Sequence, residues 1–288
     1  MTTSNAAAGD GETGAMGDIV GYDDRAEYYA VEYREDVDHG FLQGMVREAG
    51  GAVLEMPCGA GRNLDCLAAV ANRVVGIDLE PAMLTAARRR LAAGPDAGTV
   101  VLHAGDMRTL ELDETFDLVI VPREAIQLLD DDADVRATLA TGARHLRRGG
   151  RMVVDLAMIG TPGPHAAGLT PDYYDPDVPD GVCVAEWTRS LGGRQWLTRW
   201  RVQQHDAVGG VRITFHYRRS SGERAGAAEP VASWSSEIRL QNHDVEKVAG
   251  FARANHLSPL AVYGDYTGRP HRAGQIRAVL DLQKTDDA

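Results

Sequence analysis

Residues 52–81 read AVLEMPCGAGRNLDCLAAVANRVVGIDLEP, and the order of patterns in this stretch decides the fold. Ala52-Val-Leu-Glu-Met is a short apolar run that stops at Pro57-Cys-Gly-Ala-Gly. There Gly59 and Gly61 let the backbone turn sharply and approach a ligand with no Cβ in the way. Leu64, Leu67, Ala68 and Ala71 then recur at three- and four-residue spacing, which predicts a helix from about Arg62. Val74-Val75-Gly76-Ile77 predicts a second buried strand ending at Asp78. Strand, glycine turn, helix and strand make half of a nucleotide-binding βαβ unit, in which the ligand lies over the carboxyl ends of the strands and an acid ending the second strand accepts ribose hydroxyls.

A dinucleotide fingerprint wants a third small residue where this chain has Leu64, and the acid Glu55 has no part in a hydride-transfer site. The stretch instead resembles the first motif of the class I S-adenosylmethionine-dependent methyltransferases, acid-x-Gly-x-Gly-x-Gly. Glu55-Met-Pro57-Cys58-Gly59-Ala-Gly61 matches it, with Pro57 in the first glycine position. The resemblance continues in order. Gly76-Ile-Asp78-Leu79-Glu-Pro-Ala-Met83 resembles the second motif, Gly105-Asp106-Met107 the adenine-side motif, Phe116 to Pro122 the fourth strand, and His145 to Arg151 the turn before the fifth. It implies an α/β, doubly wound, seven-stranded Rossmann-like sheet that binds S-adenosyl-L-methionine and releases S-adenosyl-L-homocysteine. In that reading Asp78 holds the ribose, Asp106 accepts from the adenine amino group, and Met107 meets the ring.

Upstream, residues 1–19 are rich in Gly, Ala, Ser, Thr and acids and are expected to be a disordered tail. Residues 20–50 are aromatic and helical, with Phe41, Leu42, Met45 and Val46 on one face of a helix that Gly50-Gly51 ends. The run from Ala26 to Tyr33 resembles the family's N-terminal lid. By that resemblance Tyr29, Tyr33 and Arg34 meet the methionine end of the cofactor, Arg34 pairing its carboxylate. An ordinary amphipathic helix with half-exposed tyrosines is the structural alternative.

Downstream, residues 51–160 form the cofactor-binding core. The proline-rich stretch Thr161 to Gly181 is a crossing loop or flap. Four alternating segments follow, Val182–Ser190, Arg194–His205, Val211–Ser220 and Val231–Leu240, with Gly-Gly pairs between the first three, so residues 161–241 add an antiparallel β meander over the acceptor site. Ile213, Phe215 and Tyr217 share one face of the third segment. Arg212, His216 and Arg218 point the other way, and Arg199 and Arg201 are placed with them, opposite Trp196 and Trp200. Residues 242–288 return to the core, with Asn242-His-Asp244 capping a helix, a strand through Tyr263 to Tyr266, and a last strand from Gln275 to Gln283.

Composition bounds the partners. The chain has 288 residues, a net charge of −12 and a pI of about 5.2. An acidic surface repels phosphate backbones, so nucleic acid is excluded as a substrate. No apolar run reaches membrane-spanning length and no signal pattern opens the chain, so a cytoplasmic protein is expected. Cys58, Cys66 and Cys183 lack metal-ligand spacing, so free thiols and no metal are expected. The tryptophans of the meander cover the acceptor, pack the added sheet, or make a homodimer contact.

Methyl transfer needs in-line approach and exclusion of water more than an acid-base constellation. His216, Glu124 and Tyr263, with Asp265 nearby, are base candidates by position. Tyr22, Arg123, Gln127, Trp187, Trp200 and Tyr266 are the expected acceptor contacts. The aromatic lid and meander motivate a small aromatic or heterocyclic acceptor, for instance an indole-type ring methylated on carbon or nitrogen in secondary metabolism. N-methylation of an amino sugar or small amine is the alternative. A non-catalytic S-adenosylmethionine-binding protein and a dinucleotide oxidoreductase are the readings of other classes.

Overall fold

The computed structural model describes residues 26–92, 94, 99–160, 173–225 and 228–285. The expected disordered tail, Tyr22 and the first part of the proline-rich flap lie outside the described residues.

β1 (Ala52–Glu55), β2 (Arg73–Asp78), β3 (Val100–Ala104), β4 (Phe116–Val121) and β5 (Leu146–Ala157) pair in parallel. β11 (Arg277–Lys284) runs antiparallel to both β5 and β10 (Leu257–Tyr263), giving the order β10-β11-β5-β4-β1-β2-β3. The central strands β1, β2 and β4 are apolar on both sides because both faces of the sheet are covered there. Leu54, Val75 and Val119 pack with side chains of α5 (Asp132–His145) and α6 (Val245–Arg253). Val53, Val74 and Leu118 pack on the other face with α2 (His39–Ala49) and α3 (Leu64–Ala68). Full burial of one such side chain contributes about 1.5 to 3 kcal/mol. Asp131 and Asp244 cap α5 and α6, accepting from Asp134 N at 2.9 Å and Lys247 N at 2.7 Å.

Several boundaries differ from the sequence expectation. β5 already begins at Leu146, so most of the expected turn from His145 to Arg151 belongs to that strand. The helix after the glycine turn is only α3, because Arg62 and Asn63 stay in the turn. β10 stops at Tyr263, which leaves Asp265 and Tyr266 in the turn beyond it, and β11 begins at Arg277.

The meander is β6 (Val184–Gly192), β7 (Gln195–His205), β8 (Val211–Ser221) and β9 (Glu229–Leu240), paired in that order. Its buried face carries Leu197, Ile213, Phe215 and Tyr217 against Tyr29 of the short α1 (Tyr29–Glu32), Tyr33 and Tyr173. The register corrects the expected facing of β7. Arg201 lies opposite Phe215 and Arg199 opposite Tyr217, whereas Trp200 lies opposite His216. Both arginines are therefore on the buried face, and they are stable there because Glu186 pairs with Arg199 at 2.6 Å and Arg201 at 2.7 Å.

Candidate functional site

The carboxyl ends of β1, β2, β3 and β4 open onto a cavity of about 400 Å³. The glycine turn forms its floor. Gly59 has φ +52°, and a Cβ built there would meet only the Tyr29 ring, at 3.7 Å from its hydroxyl, so the backbone is bare toward the cavity. Gly61, with φ +79°, faces away, and its Cβ would press the Ala87 side chain at 3.1 Å. It serves packing between the turn and α4 (Pro81–Ala92), and it is not part of the wall.

Glu55 ends β1 inside the cavity wall, buried, with Oε1 accepting from Asn63 Nδ2 at 2.7 Å. Its Oε2 has no hydrogen-bond partner. Burial pushes this carboxyl up to about 8, against the opposing Asn63 hydrogen bond. Asp78 ends β2 with Oδ2 accepting from Gly59 N at 2.8 Å and Oδ1 from Glu80 N at 2.9 Å. Burial raises its carboxyl too, while those backbone N–H groups oppose the rise. Pro57, Cys58 and Leu79 complete this side. Burial holds the Cys58 thiol well above its usual range, so it is inert as a nucleophile.

Gly105, Asp106 and Met107 line the cavity beyond β3. The Asp106 carboxylate is engaged by Arg108, through the Arg108 N–H at 2.8 Å and Nη2 at 2.6 Å, which holds it below the usual carboxylate range. Arg108 also pairs with Asp134 at 2.8 Å, so this wall is braced against α5.

Tyr29, Pro122 and Arg123 close the remaining side. Of the other lid residues, Tyr33 is buried behind the wall. Its ring lies 4.6 Å from that of Tyr29, and the Arg123 guanidinium sits over it at 4.6 Å. Arg34 is exposed and reaches Ser190 O at 3.5 Å. Arg62 also lines the cavity, gripped by Asp38 and donating to Glu35 O at 2.9 Å. Met83 is wholly buried under the lid and off the wall.

Several expected contacts are placed away from the cavity. Glu124 is not solvated: it is buried, pairs with Arg277 at 3.0 Å and accepts from Tyr173 N at 3.1 Å. Gln127 spends its amide on Ala157 N at 2.7 Å, Ala157 O at 3.1 Å and Gln241 O at 3.1 Å, which ties the end of β5 to the segment after β9. His216 hydrogen-bonds Ser235 Oγ at 2.7 Å on the opposite face of the meander from Phe215, and Trp200 shares that outer face under Arg218. Trp187 lies beneath the guanidiniums of Arg189 and Arg199. Tyr263 packs edge-on against Phe41 on the α2 side of the sheet. Tyr266 donates to Asp155 beside Arg277, while Asp265 turns back to accept from Thr267 N at 2.8 Å.

Arg62, Asn63, Arg108, Leu128, Asp134 and Tyr173 are among the wall residues that carry no site signal in the sequence. Arg62 and Asn63 directly follow the glycine turn and were assigned to the helix. Tyr173 lies in a proline-rich stretch with no periodic signal.

The geometry suits a nucleoside joined to an amino acid. A terminal strand acid with free lone pairs faces the turn, a bare glycine backbone allows close approach, and Glu55 Oε2 is left without a partner in the protein. Among the described residues no group of three or more His, Cys, Asp or Glu could hold a metal ion, and no helix is long and apolar enough to cross a membrane.

A family model for the methyltransferase domain matches residues 53–150. The dTDP-3-amino-3,6-dideoxy-alpha-D-glucopyranose N,N-dimethyltransferase of Streptomyces fradiae is 34% identical over 223 residues, 75% of this chain and 76% of that enzyme. The cypemycin N-terminal methyltransferase of a Streptomyces species is 29% identical over 243 residues, 81% of this chain and 84% of that one. A second amino-sugar enzyme, the dTDP-3-amino-3,4,6-trideoxy-alpha-D-glucopyranose N,N-dimethyltransferase of Streptomyces venezuelae, is 33% identical over 131 residues, and the match spans 52% of its length. In fold, the solved structure of a SAM-bound amino pentose methyltransferase from Micromonospora echinaspora has a TM-score of 0.65 at 24% identity, covering 89% of this chain and 96% of that one.

Proposed function

The chain belongs to the S-adenosylmethionine-dependent methyltransferases, and from that premise we propose that it methylates the nitrogen of a small amine, an amino sugar of antibiotic biosynthesis being the acceptor class. The observation that carries this reading is the relationship to an amino-sugar N,N-dimethyltransferase across three quarters of both chains. It favours the amine over the indole-type ring. The aromatic side chains that motivated a ring acceptor have other work. Trp234 stacks between Tyr28 and Tyr217 at ring distances of 5.2 and 5.4 Å, fixing the meander to the lid, and Trp200 lies on the outer face.

The cofactor, S-adenosylmethionine, supplies when bound a methyl carbon activated by its sulfonium. What remains for the chain is to bind, align and keep water out, and approximation alone contributes roughly 7 kcal/mol or more to such a step. Asp78 and the Gly59 backbone hold the nucleoside side, Glu55 and Asn63 the amino-acid side, and Tyr29, Pro122, Arg123 and Tyr173 form the wall that meets the acceptor. A neutral amine carries its own lone pair, so no base at hydrogen-bond distance is needed for attack.

An acceptor screen read by mass spectrometry tests this. Nucleotide-linked amino sugars, free amino sugars, peptide N-termini and indoles are offered with S-adenosylmethionine. A gain of methyl mass in the amino-sugar group is expected. Methylation confined to peptide N-termini would move the acceptor to the class named for the cypemycin enzyme, and methylation of indoles alone would overturn the amine reading.

A further inference from the structure

We infer that Tyr173 is the wall that positions the methyl acceptor, held there by Glu124 and Arg201. The inference rests on the reading that the cavity holds the cofactor and a small amine. Tyr173 is buried, lines the cavity, and meets the Tyr33 ring edge-on at 6.0 Å. Its backbone is clamped at both polar atoms. The N–H donates to Glu124 Oε2 at 3.1 Å, and the C=O accepts from Arg201 Nη1 at 3.0 Å.

Each clamp is anchored in a different part of the molecule. Glu124 pairs with Arg277, which grips Asp155 near the end of β5 at 2.6 Å. Arg201 pairs with Glu186, which binds Arg199, and Arg199 reaches Glu32 of α1 at 3.0 Å. Buried charges of this kind cost desolvation even when paired, and a chain of them is better suited to fixing one arrangement than to adding stability. Backbone strain marks the same place. Arg123 and Glu124 are consecutive non-glycine residues with φ +51° and +58°, a conformation that persists only where the surroundings impose it. Core, meander and lid thus converge on one tyrosine that belongs to none of the motifs holding the nucleoside.

The test compares Tyr173→Ala, Tyr173→Phe and Glu124→Gly, the last of which tolerates the left-handed backbone but removes the acceptor for the Tyr173 amide. Three readouts are taken: S-adenosylhomocysteine affinity by calorimetry, amide exchange over residues 29–33, and the KM and kcat for dTDP-3-amino-3,6-dideoxyglucose. Tyr173→Ala is expected to leave S-adenosylhomocysteine affinity unchanged and to speed exchange at Tyr33. It should also raise the acceptor KM about tenfold, with a smaller effect on kcat. Tyr173→Phe should match wild type in all three readouts, and Glu124→Gly should raise KM in the same direction. A loss of S-adenosylhomocysteine affinity as large as the rise in KM would make Tyr173 a cofactor wall and overturn the inference, as would unchanged KM and exchange. If the wild-type enzyme methylates no amine, the amine reading falls by itself, and unaltered lid exchange in Tyr173→Ala then overturns the role of Tyr173 separately.

Discussion

Asp78 Oδ2 accepts the Gly59 amide at 2.8 Å, joining the end of β2 to the turn after β1 across the floor of the cavity. One carboxylate therefore shapes the turn and lines the cavity. Its remaining lone pairs are available for hydroxyls, and its burial makes any such bond a strong one.

Asp78→Ala should accordingly weaken S-adenosylhomocysteine binding by about 1 to 3 kcal/mol for each hydrogen bond lost. Calorimetry on the variant checks this. Unchanged affinity would remove Asp78 from the site, and NADH binding in place of S-adenosylhomocysteine would point to a dinucleotide enzyme.

Glu55 gives a pH signature. Its carboxyl is pushed up to about 8 in the fold. A group raised in this way favours folding fully only below its unfolded pKa, so its contribution is lost as pH rises from about 4.5 toward about 8. Stability of the ligand-free protein should fall across that window, and Glu55→Gln, neutral throughout, should flatten the fall. Urea midpoints at the two ends of the window decide it: parallel losses in wild type and variant would place Glu55 in contact with water.

His216 and Trp200 should be neutral to chemistry. They share the outer face of the meander, with His216 held by Ser235 and Trp200 under Arg218. His216→Gln and Trp200→Phe are expected to keep kcat and acceptor KM within about twofold of wild type. A large loss of kcat in His216→Gln would restore its candidacy as a base.

The lid should respond to ligand. Tyr29 lies against Gly59, and α1 is a single turn held mainly by side-chain contacts, so amide exchange over residues 29–33 should slow on adding S-adenosylhomocysteine. Equal protection with and without ligand would make α1 a permanent part of the wall.

The turn side of this cavity was legible in the sequence because it is built by backbone geometry at fixed spacing. Glu55, Gly59, Asp78 and Met107 sit in or beside turns whose position follows from the strands before them, and all four line the cavity. The facing of the meander was not, because it depends on which side of an added sheet points inward. Alternation along β7 gives two faces, and tryptophans suggested one, yet the buried face carries Arg199 and Arg201, satisfied by glutamates distant in sequence, Glu186 and Glu32. Glu124 and Gln127 were correctly placed beyond β4, but their side chains are committed to Arg277 and to the end of β5, partners that no local pattern reveals. Arg62 was hidden by its place next to the turn: only the fold brings Asp38 against it.

Transfer of a methyl group to an amine nitrogen can be followed in turnover with S-adenosylmethionine carrying carbon-13 in its methyl group and dTDP-3-amino-3,6-dideoxyglucose as acceptor. The carbon spectrum of the product locates the label by its shift and couplings. Label is expected in an N-methyl resonance of the sugar. Label bound to carbon or oxygen, or no labelled product while S-adenosylhomocysteine binds tightly, would contradict it.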